Sequence, residues 1–399
     1  MSNIAFFCIP AHGHTNPTLE VVKELVRRGN QVRYYSYNAL REKIESTGAS
    51  FISCDDYDMQ MHLSPEDGER VGKDIAFSTE IIVKMTLAMD ETIIREMAQW
   101  NPECIVADSM ATWGKLAAWK IGIPLMCSTT TFAFNRYSAK IMKQTLPQTF
   151  RMLCSMPKAN RYVKQLRDKG YPVKNVLSLI SNDNNTNTIV YTSAKFQPYA
   201  ETFSDKYTFV GPSVKLPESR VSKPQRKTVY ISLGTVNNLK ADFYRNCMEA
   251  LGNTDIDVVL AVGETIDPKK LGAVPSNFTV APSVNQIEIL QKTDVFLTHC
   301  GMNSVNEALY CGVPLVLFPQ TPEQGGVAYR VNELGAGTYL RNDSPMAIRE
   351  SILAVLKDGS YKHGAEEISQ DFHQCGGYKL AADKIESLIG SSGHGLQML

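Results

Sequence analysis

The chain has no surplus of either charge: 41 Lys and Arg face 41 Asp and Glu in 399 residues. A zero balance excludes a global basic field for nucleic acid or anionic lipid, so any ligand must be recognised locally. The nine cysteines (8, 54, 104, 127, 154, 247, 300, 311 and 375) contain no C-x-x-C pair and are odd in number. Such scattered thiols argue against a disulfide framework or a zinc site and for reduced, cytosolic usage. No apolar run approaches the roughly 18 uncharged residues of a membrane span. The apolar residues 4–9 lack a basic segment before them and run into a polar turn, which is not a signal-peptide pattern. A cytoplasmic protein without a membrane span or nucleic-acid partner is expected.

What is present is the composition of a globular protein, 43% apolar and 21% charged, long enough for two domains of roughly 100–200 residues each. The opening reads strand 4–9, loop 11–16, helix 17–28, strand 31–35. Asn16 is placed as the N-cap, Pro17 at the first helical position, and Leu19, Val22, Leu25 and Val26 as an apolar stripe that Gly29 ends. Further β-rich runs at 104–107, 125–128 and 188–191 lie between helical patterns, which predicts a parallel sheet, with 182–187 a polar loop. From 211 to 227 the chain carries Pro212, Pro217 and Pro224 with little apolar periodicity, so it reads as a linker. The pattern then restarts with strands 228–233, 258–262, 278–280, 295–298 and 314–318 and helices near 243–251 and from 303. The expected layout is an α/β protein with domains 1–211 and 228–377, joined by 212–227 and followed by a C-terminal helix within 378–399. No repeat of 20–50 residues relates the halves.

Three loops at expected strand ends carry candidate chemistry. Strand 295–298 runs into His299-Cys300-Gly301-Met302-Asn303-Ser304 and a helix. Free N–H groups and the helix dipole make such a turn an anion site, to which His299, Asn303 and Ser304 add donors, and a diphosphate is a natural guest. The plainer alternative is that Ser304 caps the helix and Glu307, three residues on, closes a capping box. Ser232-Leu233-Gly234-Thr235 ends the first strand of the second half, where open α/β sheets bind ligands, although it also suits an ordinary turn. In the first half, His12 and His14 follow the first strand and Asp108 follows the strand at 104–107. A histidine there can act as general base, and an aspartate can orient and stabilise its imidazolium. Two D-x-D patterns, Asp56-Tyr57-Asp58 and Asp255-Ile256-Asp257, are the rival, since paired carboxylates can hold a divalent cation on a diphosphate. Acidic turn residues are more often simply solvated.

The run from Ser283 to Gln324 resembles the nucleotide-sugar signature of family 1 UDP-glycosyltransferases, and the whole chain resembles their bacterial macrolide and flavonoid members. The matching pieces are Ser283-Val284-Asn285-Gln286-Ile287-Glu288-Ile289-Leu290, His299 to Ser304 with Glu307, Gly312-Val313-Pro314, and Pro319-Gln320 with Glu323-Gln324. Gly13-His14-Thr15-Asn16-Pro17 matches the family's G-H-x-N-P loop. The resemblance implies a GT-B fold: two Rossmann-like doubly wound domains facing across a cleft, acceptor on the N-terminal side, nucleotide on the C-terminal side. It also implies that a C-terminal helix, within 378–389, crosses back to the first domain.

By that carry-over His14 is the catalytic base and Asp108 its partner. The UDP-binding residues are Ser232, Gly234, Thr235, Ser283, Val284, Gln286, His299, Gly301, Asn303, Ser304 and Glu307, with Glu307 on the ribose and Glu323 and Gln324 on the donor sugar. The implied reaction inverts the anomeric carbon in one displacement, without metal or cofactor. UDP-sugar, glucose first, is the donor; flavonoids, other phenolics, macrolides and terpenoids are the acceptor classes. Phe77, Met85, Phe132 and Phe134 are candidates for an acceptor pocket, although core packing is the commoner role. The chain departs from plant members at Ser283, where they carry Trp, and at Asn285, where the family has Pro; Trp100, Trp113 and Trp119 all lie in the first half. A nucleotide-sugar epimerase and a non-catalytic nucleotide-sugar sensor are the alternative functions.

Overall fold

The computed structural model describes residues 1–55, 70, 74–138, 146–180, 184–217, 224–235 and 238–391. The first half builds β1 (Asn3–Phe7), α1 (His12–Arg27), β2 (Gln31–Ser36), α2 (Arg41–Glu45), β3 (Ser50–Ser53), α3 (Ile75–Trp100), β4 (Cys104–Asp108) and α4 (Thr112–Ile121). It continues through β5 (Leu125–Thr129), α5 (Leu146–Asp168), α6 (Val176–Ile180), β6 (Thr188–Val190) and β7 (Tyr207–Phe209). The strands form one parallel seven-stranded sheet in the order β3-β2-β1-β4-β5-β6-β7. Parallel strands need crossovers that cover both faces, and β1 shows how its sequence serves both. Ile4, Phe6 and Cys8 point to Val21, Val22 and Leu25 of α1, while Ala5 and Phe7 pack among Met89 and Ile93 of α3 and Trp113 of α4.

The second half builds β8 (Lys227–Ser232), α7 (Ala241–Leu251), β9 (Ile256–Ala261), β10 (Phe278–Ala281), α8 (Gln286–Leu290), β11 (Val295–Thr298), α9 (Met302–Tyr310) and β12 (Leu315–Leu317). It ends with α10 (Pro322–Glu333), β13 (Gly337–Tyr339), α11 (Pro345–Lys357), α12 (Gly359–Gln374) and α13 (Gly377–Ser391). Its six strands are again parallel, in the order β10-β9-β8-β11-β12-β13. In each sheet the order reverses beside the first strand, between β1 and β4 and between β8 and β11. Ligands bind at the carboxyl ends of such a switch point. No described helix is long and apolar enough to cross a membrane.

Two differences from the sequence expectation bear on the site. Helix α1 begins at His12, not at Pro17: Ala11 is extended, and His14 N and Thr15 N both donate to Ala11 O at 3.0 Å. Asn16 is therefore inside the helix, and Pro17 is its sixth residue. Strands β3, β7 and β13 were not anticipated; all are outermost in their sheets and only three or four residues long, too short for an alternating pattern.

The domains meet over a mixed surface. Asn306 Nδ2 donates to Tyr191 O at 2.8 Å, Arg330 Nε to Phe196 O at 3.0 Å, and the rings of Phe196 and Phe372 meet edge-on at 5.7 Å. The chain crosses between domains twice at one place. At Gly211, φ +82°, a Cβ would lie 2.4 Å from Cβ of Cys375, and Gly377 N donates to Val210 O at 2.7 Å. Beyond this crossing α13 lies on the first domain. Its Ala381, Ala382 and Ile385 join the core of Ile4, Phe6 and Leu25, and Arg28 Nη1 bonds Asp383 at 2.6 Å and Glu386 at 2.7 Å.

Candidate active site

At the carboxyl edge of the first sheet, β1 leads into the first turn of α1, which carries His14, and neighbouring β4 ends on Asp108. Parallel pairing of these strands brings residues 94 positions apart together: His14 Nδ1 lies 2.8 Å from Asp108 Oδ2. Asp108 is 1% exposed and its Oδ1 also accepts from Met110 N at 2.9 Å, so the carboxylate is held on both sides. A buried carboxylate accepts, which puts the proton on Nδ1 and leaves the Nε2 lone pair able to accept another. Thr130, just past β5, sets its Oγ1 3.1 Å from the same Nδ1. Sequence reasoning missed Thr130, although its place after a strand end next to β4 was a usable signal.

Burial draws the His14 pKa down, but the charge and hydrogen bond of Asp108, with the charge of Glu323, outweigh it, and the imidazole binds its proton more tightly than an ordinary histidine. A histidine acting as a base does so in its neutral form, so with His14 in that role activity is expected to fall as pH drops through this raised pKa. Asp108→Asn should therefore move the acidic limb of the pH–kcat/KM profile to lower pH while lowering the plateau, and should change donor KM little. An unmoved limb with reduced thermal stability alone would make Asp108 a structural strand-end residue.

On the facing edge, β8 and β11 end side by side and their loops close on one ring. A Cβ on Gly234, φ +76°, would lie 2.6 Å from His299 Nε2, and one on Gly301 would lie 2.5 Å from the same atom. Both glycines are needed because the imidazole occupies the space their side chains would take. Between them Cys300 is left-handed at φ +66°, a costly conformation for a residue with a Cβ. Burial drives the His299 pKa down to about 4, against a hydrogen bond to the Ser232 backbone, so the ring is neutral at ordinary pH. Its Nδ1 is buried without a hydrogen-bond partner among the described residues.

Gly301 is the N-cap of α9 and offers no side-chain cap, so the helix starts at Met302 with its first-turn N–H groups free of one. The capping-box alternative for Ser304 and Glu307 is thereby corrected: Ser304 is the third helical residue. Glu307 instead accepts from Gln286 Nε2 at 2.6 Å, and Gln286 also reaches Ser304 Oγ at 3.4 Å and accepts from Tyr230 OH at 3.1 Å. The Gln286 amide thereby orders Glu307. Burial raises the Glu307 pKa, with the Gln286 bond pulling the other way. Glu307 and Asn303 line a cavity of about 30 Å³ between the domains, shared with Asn16, Pro17, Tyr191 and Ser213.

The remaining expected residues spread along the same edge. Ser232 Oγ accepts from Gly234 N at 3.2 Å, Thr235 and Ser283 are exposed, and Val284 is half-buried. Asn285 caps α8 by accepting from Glu288 N. Gln324 Oε1 accepts from Gln320 N at 2.7 Å, and Glu323 stands close enough to act on the His14 charge. Asn303 Nδ2 donates to Gly13 O at 2.6 Å. Of the candidate acceptor residues, Met85 and Phe132 are buried in cores, and Phe77 and Phe134 pack against cores.

The D-x-D rival divides. Asp255 and Asp257 are both bonded by Arg226 at 2.9 Å. They also sit at the amino end of β9, away from the cleft. Asp56-Tyr57-Asp58 lies outside the described residues. Among the described residues no group of three or more His, Cys, Asp or Glu is placed to hold a metal ion.

Two parallel-sheet domains, with a His–Asp pair at the carboxyl edge of one and a glycine-lined loop heading a helix at that of the other, have the layout of a GT-B glycosyltransferase. Comparison with known proteins agrees. The family described as Erythromycin biosynthesis protein CIII-like, C-terminal domain, matches residues 245–375. NDP-glycosyltransferase YjiC of Bacillus licheniformis is 34% identical, with 98% of each chain covered. Oleandomycin glycosyltransferase of Streptomyces antibioticus is 27% identical, covering 97% of this chain and 90% of that one. The crystal structure of CalG4, the calicheamicin glycosyltransferase, superposes with a TM-score of 0.80 at 27% identity, covering 98% of this chain and 99% of that one. The chain belongs to the bacterial family 1 glycosyltransferases of GT-B fold. The epimerase alternative finds no support in these matches.

Proposed function

We propose that this glycosyltransferase moves a hexose, glucose first, from UDP to a hydroxyl of small, largely apolar acceptors such as phenolics, flavonoids, macrolides or terpenoids, inverting the anomeric carbon without a metal. The observation that carries the reading is the His14–Asp108 pair at 2.8 Å opposite the Gly234–His299–Gly301 loop cluster. His14 Nε2 takes the acceptor proton as the oxygen attacks the anomeric carbon opposite the nucleotide. The C–O bond to UDP breaks in the same step, and UDP leaves with its electron pair. The growing charge meets the free N–H groups of α9, the helix dipole and Ser304, which together do the work of a metal. A non-catalytic sensor would have no use for an ordered base.

Incubation with UDP-glucose and a phenol, followed by mass spectrometry, tests the reading: a hexose adduct with released UDP is expected, and turnover should survive EDTA. Activity lost to EDTA and restored by Mg²⁺ would return the cation role to a D-x-D pair.

Glu307 is assigned to the ribose hydroxyls. Glu307→Gln keeps a hydrogen-bonding group beside Gln286, so melting should scarcely move. An amide offers one neutral oxygen where a carboxylate offers two charged ones. UDP affinity should fall by about 1–2 kcal/mol, and the preference for UDP over 2′-deoxy-UDP should shrink with it. Calorimetry showing neither change would leave Glu307 as a partner of Gln286 alone.

A further inference from the structure

One peptide group holds the Asp108 carboxylate from behind, and that peptide is itself held. Asp108 Oδ1 accepts from Met110 N at 2.9 Å, and the carbonyl of the same peptide, Ser109 O, accepts from Lys115 Nζ at 3.0 Å. The other carboxylate oxygen, Oδ2, lies 2.8 Å from His14 Nδ1. A trans amide carries its C=O and N–H on opposite sides of one plane, so this one links the ammonium to the carboxylate. Hydrogen bonds in series polarise one another, and a cation on the carbonyl makes the N–H a stronger donor to the anion beyond it. Lys115 stands on α4 and is half-buried, and its Nζ also donates to Leu179 O at 3.0 Å. That carbonyl is among the last of α6, which have no partner within their own helix. Burial lowers the Lys115 pKa, and the charges of Cys127 and Asp108 oppose it.

We propose that Lys115 is a positioning residue for the His14–Asp108 pair, acting through the Ser109–Met110 peptide to hold the Asp108 carboxylate in the orientation that receives the His14 ring. The series runs from Lys115 through the peptide and Asp108 to His14. Its far end is anchored on α6, so the loop that carries Asp108 is fastened to the helical layer behind it as well as to β5, where Ser109 N donates to Ser128 O at 2.9 Å. The kinetic consequence rests on the transferase reading; the geometric claim does not.

A double-mutant cycle separates this role from the mere filling of two carbonyls. Lys115→Met keeps an unbranched stem and removes the charge. In the wild-type background it should lower kcat about tenfold, with donor KM and UDP affinity within about twofold. In Asp108→Asn, where no carboxylate remains to be held, the same change should cost less than about twofold. Lys115→Arg keeps the cation and should recover most of the loss. A spectroscopic arm needs no turnover: in protein with isotope-labelled methionine, the Met110 amide proton should move upfield in Lys115→Met and stay near its wild-type position in Lys115→Arg. An equal loss of kcat in both backgrounds would make Lys115 a packing residue and overturn the proposal, as would an unmoved Met110 amide proton in folded Lys115→Met. If Lys115→Met does not fold, Lys115→Gln, whose amide still donates to a carbonyl but carries no charge, replaces it in every arm. If wild type transfers no sugar, the transferase reading fails, while the Met110 resonance still decides whether Lys115 acts on the peptide that holds Asp108.

Discussion

His14→Ala is expected to lower kcat by about 10²–10⁴-fold while leaving UDP affinity within about twofold. The division follows from the architecture, because the proposed base and the proposed nucleotide site belong to different sheets. Asp108 keeps its bond from Met110 N at 2.9 Å in the variant, so the buried carboxylate is not stranded and folding should survive. A melting curve checks that, and calorimetry checks the nucleotide side. Retained turnover would hand the base role to His12, two residues earlier, or to solvent. His12 is a poor substitute: burial and the nearby Lys43 ammonium both lower its pKa, and its ring is paired with Lys43 Nζ rather than with a carboxylate.

The second large effect is expected from one methyl group. Gly301 has φ −63° and ψ 136°, which any residue adopts, so Gly301→Ala carries no backbone penalty. Its Cβ would lie 2.5 Å from His299 Nε2, and Gly234 already stands against that ring from the neighbouring loop. Either the imidazole or the loop must move. Stability should fall by about 1–3 kcal/mol from overpacking, and donor kcat/KM by about 10²-fold as the anion site is disarranged. Gly301→Ala combined with His299→Ala should recover the melting temperature, since the clash is gone, but not the turnover. Wild-type kinetics in Gly301→Ala would show that the ring position is irrelevant to the donor.

How much of this was legible depended on the kind of signal. Strands β1, β4, β8 and β11 are buried on both faces and read as plain apolar runs, so their carboxyl ends, and the loops bearing His14, Asp108, Gly234 and His299, could be placed in advance. Gly301 was legible as a point of close approach, although what approaches is the protein's own imidazole. The start of α1 was not legible. Alanine at the N-cap carries no signal, and a proline after an asparagine reads as a helix start rather than as a sixth residue. Of the four edge strands only β10 was placed in advance; β3, β7 and β13, three or four residues long, show no alternating pattern. Links such as Thr130 to His14 and Gln286 to Glu307 join positions far apart in the chain, and only the packed sheets bring them together.

The last helix has a consequence for how the protein is made. The face of α1 and β1 that contains Ile4, Phe6 and Leu25 is closed by Ala381, Ala382 and Ile385 of α13, and Arg28 is pinned by Asp383 and Glu386. During synthesis the first domain leaves the ribosome with that apolar face uncovered, and the piece that covers it is translated only after the second domain. The N-terminal domain therefore waits through translation of the whole second domain before its core is complete, a delay of tens of seconds or less at about 5–20 residues per second. A nascent chain arrested short of α13 exposes that apolar face on the first domain, an aggregation-prone surface until the helix arrives.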